Sequence, residues 1–259
     1  MKEGGDFVLI FSYLFSFLLG LCIGSFLNVC IYRLPRGFSL VTPPSHCPSC
    51  SVHLKPLDLF PVVSFFWLRG KCRYCGARIS PRYPLIELLT GAGFFLITWK
   101  YGLTVHSVGL LLLYAVLMVA TFIDLDHRII PDLLIVFALT AGIPLAVLQG
   151  PEVLKDGLFG SVLGGGALLI VALLSRGGMG GGDVKLAFVI GWYLGWQKAV
   201  LALALAFVLG AALGVLWALR TKKNLKTAIP FGPFLSLGAM LAVLTGDKLI
   251  SGYLNLWGS

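Results

Sequence analysis

Apolar stretches dominate this chain and are broken by short polar segments, and the length of each stretch sets what it can form. Runs near residues 7–30, 84–99, 105–124, 129–149, 156–174, 184–197, 199–219 and 231–246 predict eight membrane-spanning helices. A spanning helix needs about 20 apolar residues. The runs 84–99 and 184–197 are short by that measure, so tilting, local bilayer thinning or partial re-entry is expected of them. The first run lacks a basic start, is too long for a secretory signal and shows no small-residue cleavage site, which predicts a retained helix. The expected fold is therefore all-α and polytopic. It divides into a first transmembrane helix (1–32), a polar insert (33–83) and a transmembrane core (84–259).

Composition strengthens this pattern. Hydrophobic residues make up 58% of the chain and charged ones 12%, with a mean hydropathy of +0.94. A soluble domain of this length would need more polar surface than so few charges supply, which leaves the lipid bilayer as the natural partner.

The net charge of +9 raises the question of nucleic acid, and the placement of the charges answers it. With eight alternating helices, one side carries Arg33, Arg36, Lys55, Arg69, Lys71, Arg73, Arg78, Arg82, Arg128, Arg176, Lys185, Arg220, Lys222, Lys223 and Lys226. The other carries only Lys2, Lys100, Lys155, Lys198 and Lys248. That asymmetry fits the positive-inside rule, with the insert cytoplasmic and both termini outside. The basic excess is then topology. No basic stretch interleaved with aromatics is present, so no nucleic-acid partner is expected.

The insert contains Cys47-Pro-Ser-Cys50 and Cys72-Arg-Tyr-Cys75, separated by 21 residues. Two close thiol pairs, each on a tight turn, have zinc-ribbon spacing and can surround Zn²⁺ tetrahedrally. Four thiolates leave no open coordination position, so the expected role is structural, supplying folding energy to a segment too small for its own core. A reducing cytoplasm argues against disulfides here. Cys22 and Cys30, in the first apolar run, are expected to pack rather than bind, and His46 and His53 are expected as loop residues.

Ionisable residues at the edges of spanning helices are costly and therefore informative. The third run ends in Ile123-Asp124-Leu-Asp126-His127, and the sixth opens after Gly177-Gly178-Met179-Gly180-Gly181-Gly182-Asp183-Val184-Lys185. The topology brings both segments to the cytoplasmic boundary. Peptide hydrolysis by two carboxylates needs one ionised group and one protonated group. Asp124 at a helix C-terminus is expected as the acid and Asp183 at a helix N-terminus as the base, with one proton shared by the pair. Gly180 and Gly182 are expected to permit close backbone approach and unusual dihedrals. No Gly-Lys-Ser/Thr follows the glycine run, so a phosphate cradle is not expected. Asp126, Lys185 and Glu87 are supporting candidates, each with a plainer reading as an interfacial or interhelical polar contact.

Taken together, these residues resemble the type 4 prepilin peptidase family, the bifunctional prepilin leader peptidases and N-methyltransferases. The resemblance runs through Gly24-Ser-Phe-Leu-Asn28-Val, Arg33-Leu-Pro35, the four cysteines, Arg82-Tyr-Pro84-Leu-Ile-Glu87, Ile123-Asp124-Leu-Asp126-His127, Pro131-Asp132, Gly178-Met-Gly-Gly-Gly-Asp183-Val-Lys-Leu and Pro230-Phe-Gly-Pro233. It implies that Asp124 and Asp183 are catalytic and that the cysteines hold zinc. It also implies an inner-membrane aspartyl endopeptidase that removes the leader of type IV prepilins or pseudopilins at the cytoplasmic face. N-methylation with S-adenosylmethionine is implied by the resemblance alone, since the insert has no nucleotide-binding fingerprint. The stretch between Arg33 and Cys47 is short beside family members carrying a larger insertion there.

Two other classes compete. An ion-coupled transporter would use intramembrane aspartates as a relay, but these lie at the membrane edge and no inverted repeat is evident. A membrane scaffold docking partners through the cysteine insert would make no demand on either aspartate.

Overall fold

The computed structural model describes residues 3–175, 178–221 and 230–257. Lys2, Arg176, Lys222, Lys223 and Lys226 of the charge tally, and Gly177 of the glycine run, lie outside them. Two compact units are present, Met1–Leu103 and Thr104–Ser259. Among the described residues there is no strand, and only two isolated bridges pair His46 with His53 and Lys71 with Arg78.

The first unit holds α1 (Glu3–Arg33), the short helix α2 (Val63–Trp67) and α3 (Arg82–Tyr101). Small residues let α1 and α3 approach closely. A Cβ on Gly24 would lie 2.7 Å from the Cα of Glu87, so the two backbones touch where any larger residue would force them apart. A buried hydroxyl pair, Thr98 donating to Ser16 at 3.0 Å, joins the other ends of the same helices. Unpaired hydroxyls are expensive away from water, so this contact fixes the register as well as the approach.

The second unit holds α4 (Val105–His127), α5 (Asp132–Gln149), α6 (Pro151–Leu174), α7 (Gly181–Thr221) and α8 (Gly232–Trp257). Thr104 starts α4 with a capping box: its hydroxyl accepts from the Ser107 amide at 3.1 Å, and the Ser107 hydroxyl accepts from the Thr104 amide at 2.9 Å. Arg128 ends α4 in a left-handed conformation (φ 57). α6 and α7 lie against each other through Gly160 and Gly191, whose missing side chains face the partner's backbone. Polar stitches cross between helices: Tyr193 on α7 donates to the Ala138 carbonyl on α5 at 2.6 Å, and Ser236 on α8 donates to the Leu117 carbonyl on α4 at 3.3 Å.

Among the described residues, six helices are long and apolar enough to cross a membrane: α1, α4, α5, α6, α7 and α8. The difference from eight falls on the two short runs. The run 84–99 forms α3, which carries Arg82, Glu87 and Lys100 and is less apolar than the rest. The run 184–197 joins 199–219 in one element, α7, broken at Gly195 (φ 73, ψ 172). Only glycine adopts such dihedrals freely, so the helix breaks there into two segments.

Candidate active site

α4 carries Asp124 in its last turn, and α7 carries Asp183 in its first. Both carboxylates are buried, at 6% and 8% exposure, and lie within range of each other's charge although 59 positions separate them. Burying two acids together is costly unless something holds them, and backbone amides do so. The N–H of Gly232, at the start of α8, donates to Asp124 Oδ2 at 2.9 Å. The amide of Gly180 interacts with the Asp183 carboxylate, and the Asp183 N–H donates to the Gly180 carbonyl at 3.1 Å.

The glycine run earns its composition sterically rather than conformationally. None of Gly178, Gly180, Gly181 and Gly182 has a left-handed φ, which overturns the expectation of unusual dihedrals at these positions. What Gly182 supplies is room: a Cβ there would lie 3.1 Å from the Cβ of Ile130, in the α4–α5 connection. This approach draws the start of α7 toward the end of α4. At Gly180 a Cβ would meet only Asp183 Oδ2, at 3.4 Å, and at Gly181 nothing.

Lys185 pairs with Asp132 at the start of α5, Nζ to Oδ1 2.6 Å, and not with Asp183. Residues two apart on a helix point to different sides, which accounts for the choice. Asp126 is exposed at the end of α4. Glu87 belongs to the first unit and is buried at 7% exposure; its Oε2 accepts the Val62 amide at 2.7 Å.

The four cysteines of the insert converge. Their Sγ atoms all lie within 4.8 Å of one another, with Cys47 and Cys75 at 3.9 Å. Tetrahedral zinc with Zn–S near 2.3 Å requires S–S separations of about 3.8 Å. The donors therefore fit the ion. Each pair sits on a matching turn: the Ser51 amide donates to the Cys47 carbonyl at 2.8 Å and the Gly76 amide to the Cys72 carbonyl at 2.9 Å, with Ser51 (φ 59) and Gly76 (φ 73) both left-handed. The amides of Ser49 and Cys50 draw the Cys47 thiol down to about 6, which favours a thiolate ready for a cation.

Two contributors escaped sequence reading. Gly232 lies in Pro230-Phe-Gly-Pro233, a motif recognisable by resemblance but without ionisable chemistry of its own. Ile130 is an ordinary apolar residue, and no local signal marks it as the surface on which Gly182 rests.

The fold and the paired acids define a multi-pass α-helical membrane protein with a buried two-aspartate site. Comparison with known proteins makes the class specific. Residues 18–101 match the bacterial peptidase A24 N-terminal domain and residues 111–215 the type IV leader peptidase family. A prepilin leader peptidase/N-methyltransferase of Stutzerimonas stutzeri is 35% identical over 268 residues, covering 93% of each chain. Those of Aeromonas hydrophila (36% over 268 residues, 92% of each chain) and Bacillus subtilis (32% over 240 residues, 93% of this chain and 97% of that one) are comparably similar. No solved structure matches. The chain belongs to the type IV leader peptidase family.

Proposed function

We propose that this protein is an aspartyl endopeptidase that removes the leader of type IV prepilins or pseudopilins, with Asp124 and Asp183 as the catalytic pair. The observation that carries the reading is the meeting of these two buried carboxylates from α4 and α7, each met by a glycine amide. In the proposed reaction one carboxylate takes a proton from water as the oxygen attacks the scissile carbonyl, and its protonated partner hydrogen-bonds the carbonyl oxygen. The tetrahedral adduct then collapses, the C–N bond breaks, and the leaving amine takes a proton from the pair. Two neighbouring acids with one proton between them supply both functions at once.

The same reading places eight passes in the bacterial inner membrane, with α3 crossing and α7 crossing twice about Gly195, and the active site at the cytoplasmic face. Its support is the basic asymmetry of the loops. The cysteine insert holds structural zinc through Cys47, Cys50, Cys72 and Cys75. The similarity to prepilin leader peptidase/N-methyltransferases supports a second activity, N-methylation of the newly exposed amino terminus with S-adenosylmethionine as donor.

The test is incubation of the purified protein with a prepilin. Wild type is expected to release the leader, and Asp124→Asn and Asp183→Asn are each expected to lose at least about a thousandfold in rate, as for residues acting as a unit. A single variant cleaving at the wild-type rate excludes the mechanism. Proton-coupled transport in the absence of cleavage would favour the transporter reading instead.

A further inference from the structure

The insert exposes a stripe of large apolar side chains. Around α2, Ser64, Phe65 and Leu68 face inward and line the same cavity as Asn28 and Glu87. Val63, Phe66 and Trp67 fall at i, i+3 and i+4, on one face of the helix, and are 53%, 67% and 79% exposed. Phe60, just before the helix, is exposed as well. With rings on both faces, α2 has no side suited to water, and an exposed apolar cluster of this kind marks contact with a membrane or with another protein.

The depth at which α2 is held decides between the two. Val62 precedes the helix at the centre of a γ-turn (φ 62, ψ −51) closed by the Val63 amide on the Pro61 carbonyl, and its own amide donates to Glu87 Oε2 at 2.7 Å. The Glu87 backbone lies against Gly24 of α1, nine residues before that helix ends at Arg33. At 1.5 Å per residue this is about 13.5 Å inside the end of α1. The Glu87 side chain, leaning toward the start of α3, returns only a few ångströms of it. The start of α2 is therefore held beside the apolar span of α1 and not out beyond it.

Charge points to the same partner. Residues 33–83 hold eight basic side chains and one acid, Asp58, which is paired with Arg73. Arg69 and Lys71, directly after α2, are exposed and meet no carboxylate among the described residues. The Gly70 amide donates to the Phe65 carbonyl at 2.8 Å, and this turn keeps both cations next to the end of the helix. Rings beside an apolar span, with unpaired cations at their edge, are the pattern of an interfacial segment that meets anionic headgroups.

We infer that α2 is seated in the membrane leaflet on the insert's side, with Val63, Phe66 and Trp67 against lipid acyl chains and Arg69 and Lys71 against anionic lipid headgroups. The bilayer then supports the insert as a third surface beside α1 and α3, and the position of the insert depends on lipid charge. The inference holds whichever side of the membrane that leaflet faces.

The experiment uses the full-length protein in nanodiscs of phosphatidylcholine and phosphatidylglycerol in equal parts. Tryptophan emission present in wild type and missing from Trp67→Phe belongs to Trp67. Bromine on the lipid acyl chains is expected to quench at least about half of it, as for a ring about 5–10 Å into the boundary of headgroups and acyl chains. With p-benzoylphenylalanine in place of Phe66 and a prepilin present, irradiation is expected to give lipid adducts, phosphatidylglycerol exceeding phosphatidylcholine at least about threefold. Arg69→Gln combined with Lys71→Gln is expected to bring that ratio to about one, with an unchanged unfolding midpoint. Unquenched Trp67 emission, or an adduct at position 66 that is protein and not lipid, overturns the placement of α2. Lipid adducts with no preference for phosphatidylglycerol, or a preference that survives the double substitution, overturn the role of the two cations.

Discussion

The Gly232 amide donates to Asp124 Oδ2 at 2.9 Å, joining two residues 108 positions apart at the buried end of α4. A Cβ on Gly232 would lie 2.7 Å from that same oxygen. The residue therefore both binds the carboxylate and leaves it room, and only glycine does both.

Gly232→Ala is expected to push the Asp124 carboxylate out of position. A displacement of about 1 Å at a reacting group costs roughly a hundredfold. Leader cleavage should fall by about that factor while the unfolding midpoint moves little. A rate within twofold of wild type would show that the contact does not position the acid.

Gly182 and Gly180 should respond differently. Gly182→Val places branched carbon against Ile130, where even a Cβ is tight at 3.1 Å, and is expected to lower cleavage at least about tenfold by moving the start of α7. Gly180→Ala meets only ordinary contact at 3.4 Å and is expected to stay within about threefold. Steady-state cleavage of one prepilin by both variants checks the contrast.

The convergence of Cys47, Cys50, Cys72 and Cys75 predicts one tightly held zinc per chain, measurable by elemental analysis of the purified protein. Cys47→Ser or Cys72→Ser is expected to abolish stoichiometric metal and to expose the insert to proteolysis. The cause is that metal binding supplies folding energy to a segment with little core.

Asp58 ties the insert together. Burial alone would raise its pKa, but Arg73, the Lys55 amide and the Tyr74 hydroxyl together hold it below the usual carboxylate range. A group depressed in the folded state stabilises above its unfolded pKa, near 3.9, and loses that contribution as pH falls through the folded value. Amides of the insert are expected to exchange faster in Asp58→Asn than in wild type at pH 7. The difference should shrink as pH falls below the unfolded value and vanish once it has passed the depressed folded value. Equal protection at pH 7 would remove Asp58 from this role.

The Lys185–Asp132 contact illustrates the limit of sequence reasoning. Sequence put Lys185 two residues from Asp183 and made that pairing the nearest option, and the helix geometry that argued against it could not say where the lysine would go. The partner lies 53 positions away, on a helix whose start meets α7 only after packing. Both side chains are more than half exposed, so the pair orients helix ends more than it stabilises them.

What the sequence determined by itself was local. Run length and composition set the all-helical membrane fold, two thiol pairs at fixed spacing marked a candidate metal site in the insert, and two acids at the edges of apolar runs marked the candidate active site. These are readable because lipid and metal impose their demands on consecutive residues, whatever the rest of the chain does. Tertiary structure decided that Gly182 would rest on Ile130, that Gly232 would reach Asp124, and that Asn28 and Glu87 would face one cavity. Those contacts depend on how closely neighbouring backbones approach, and that distance is set by the small residues of both partners together, which neither segment encodes alone.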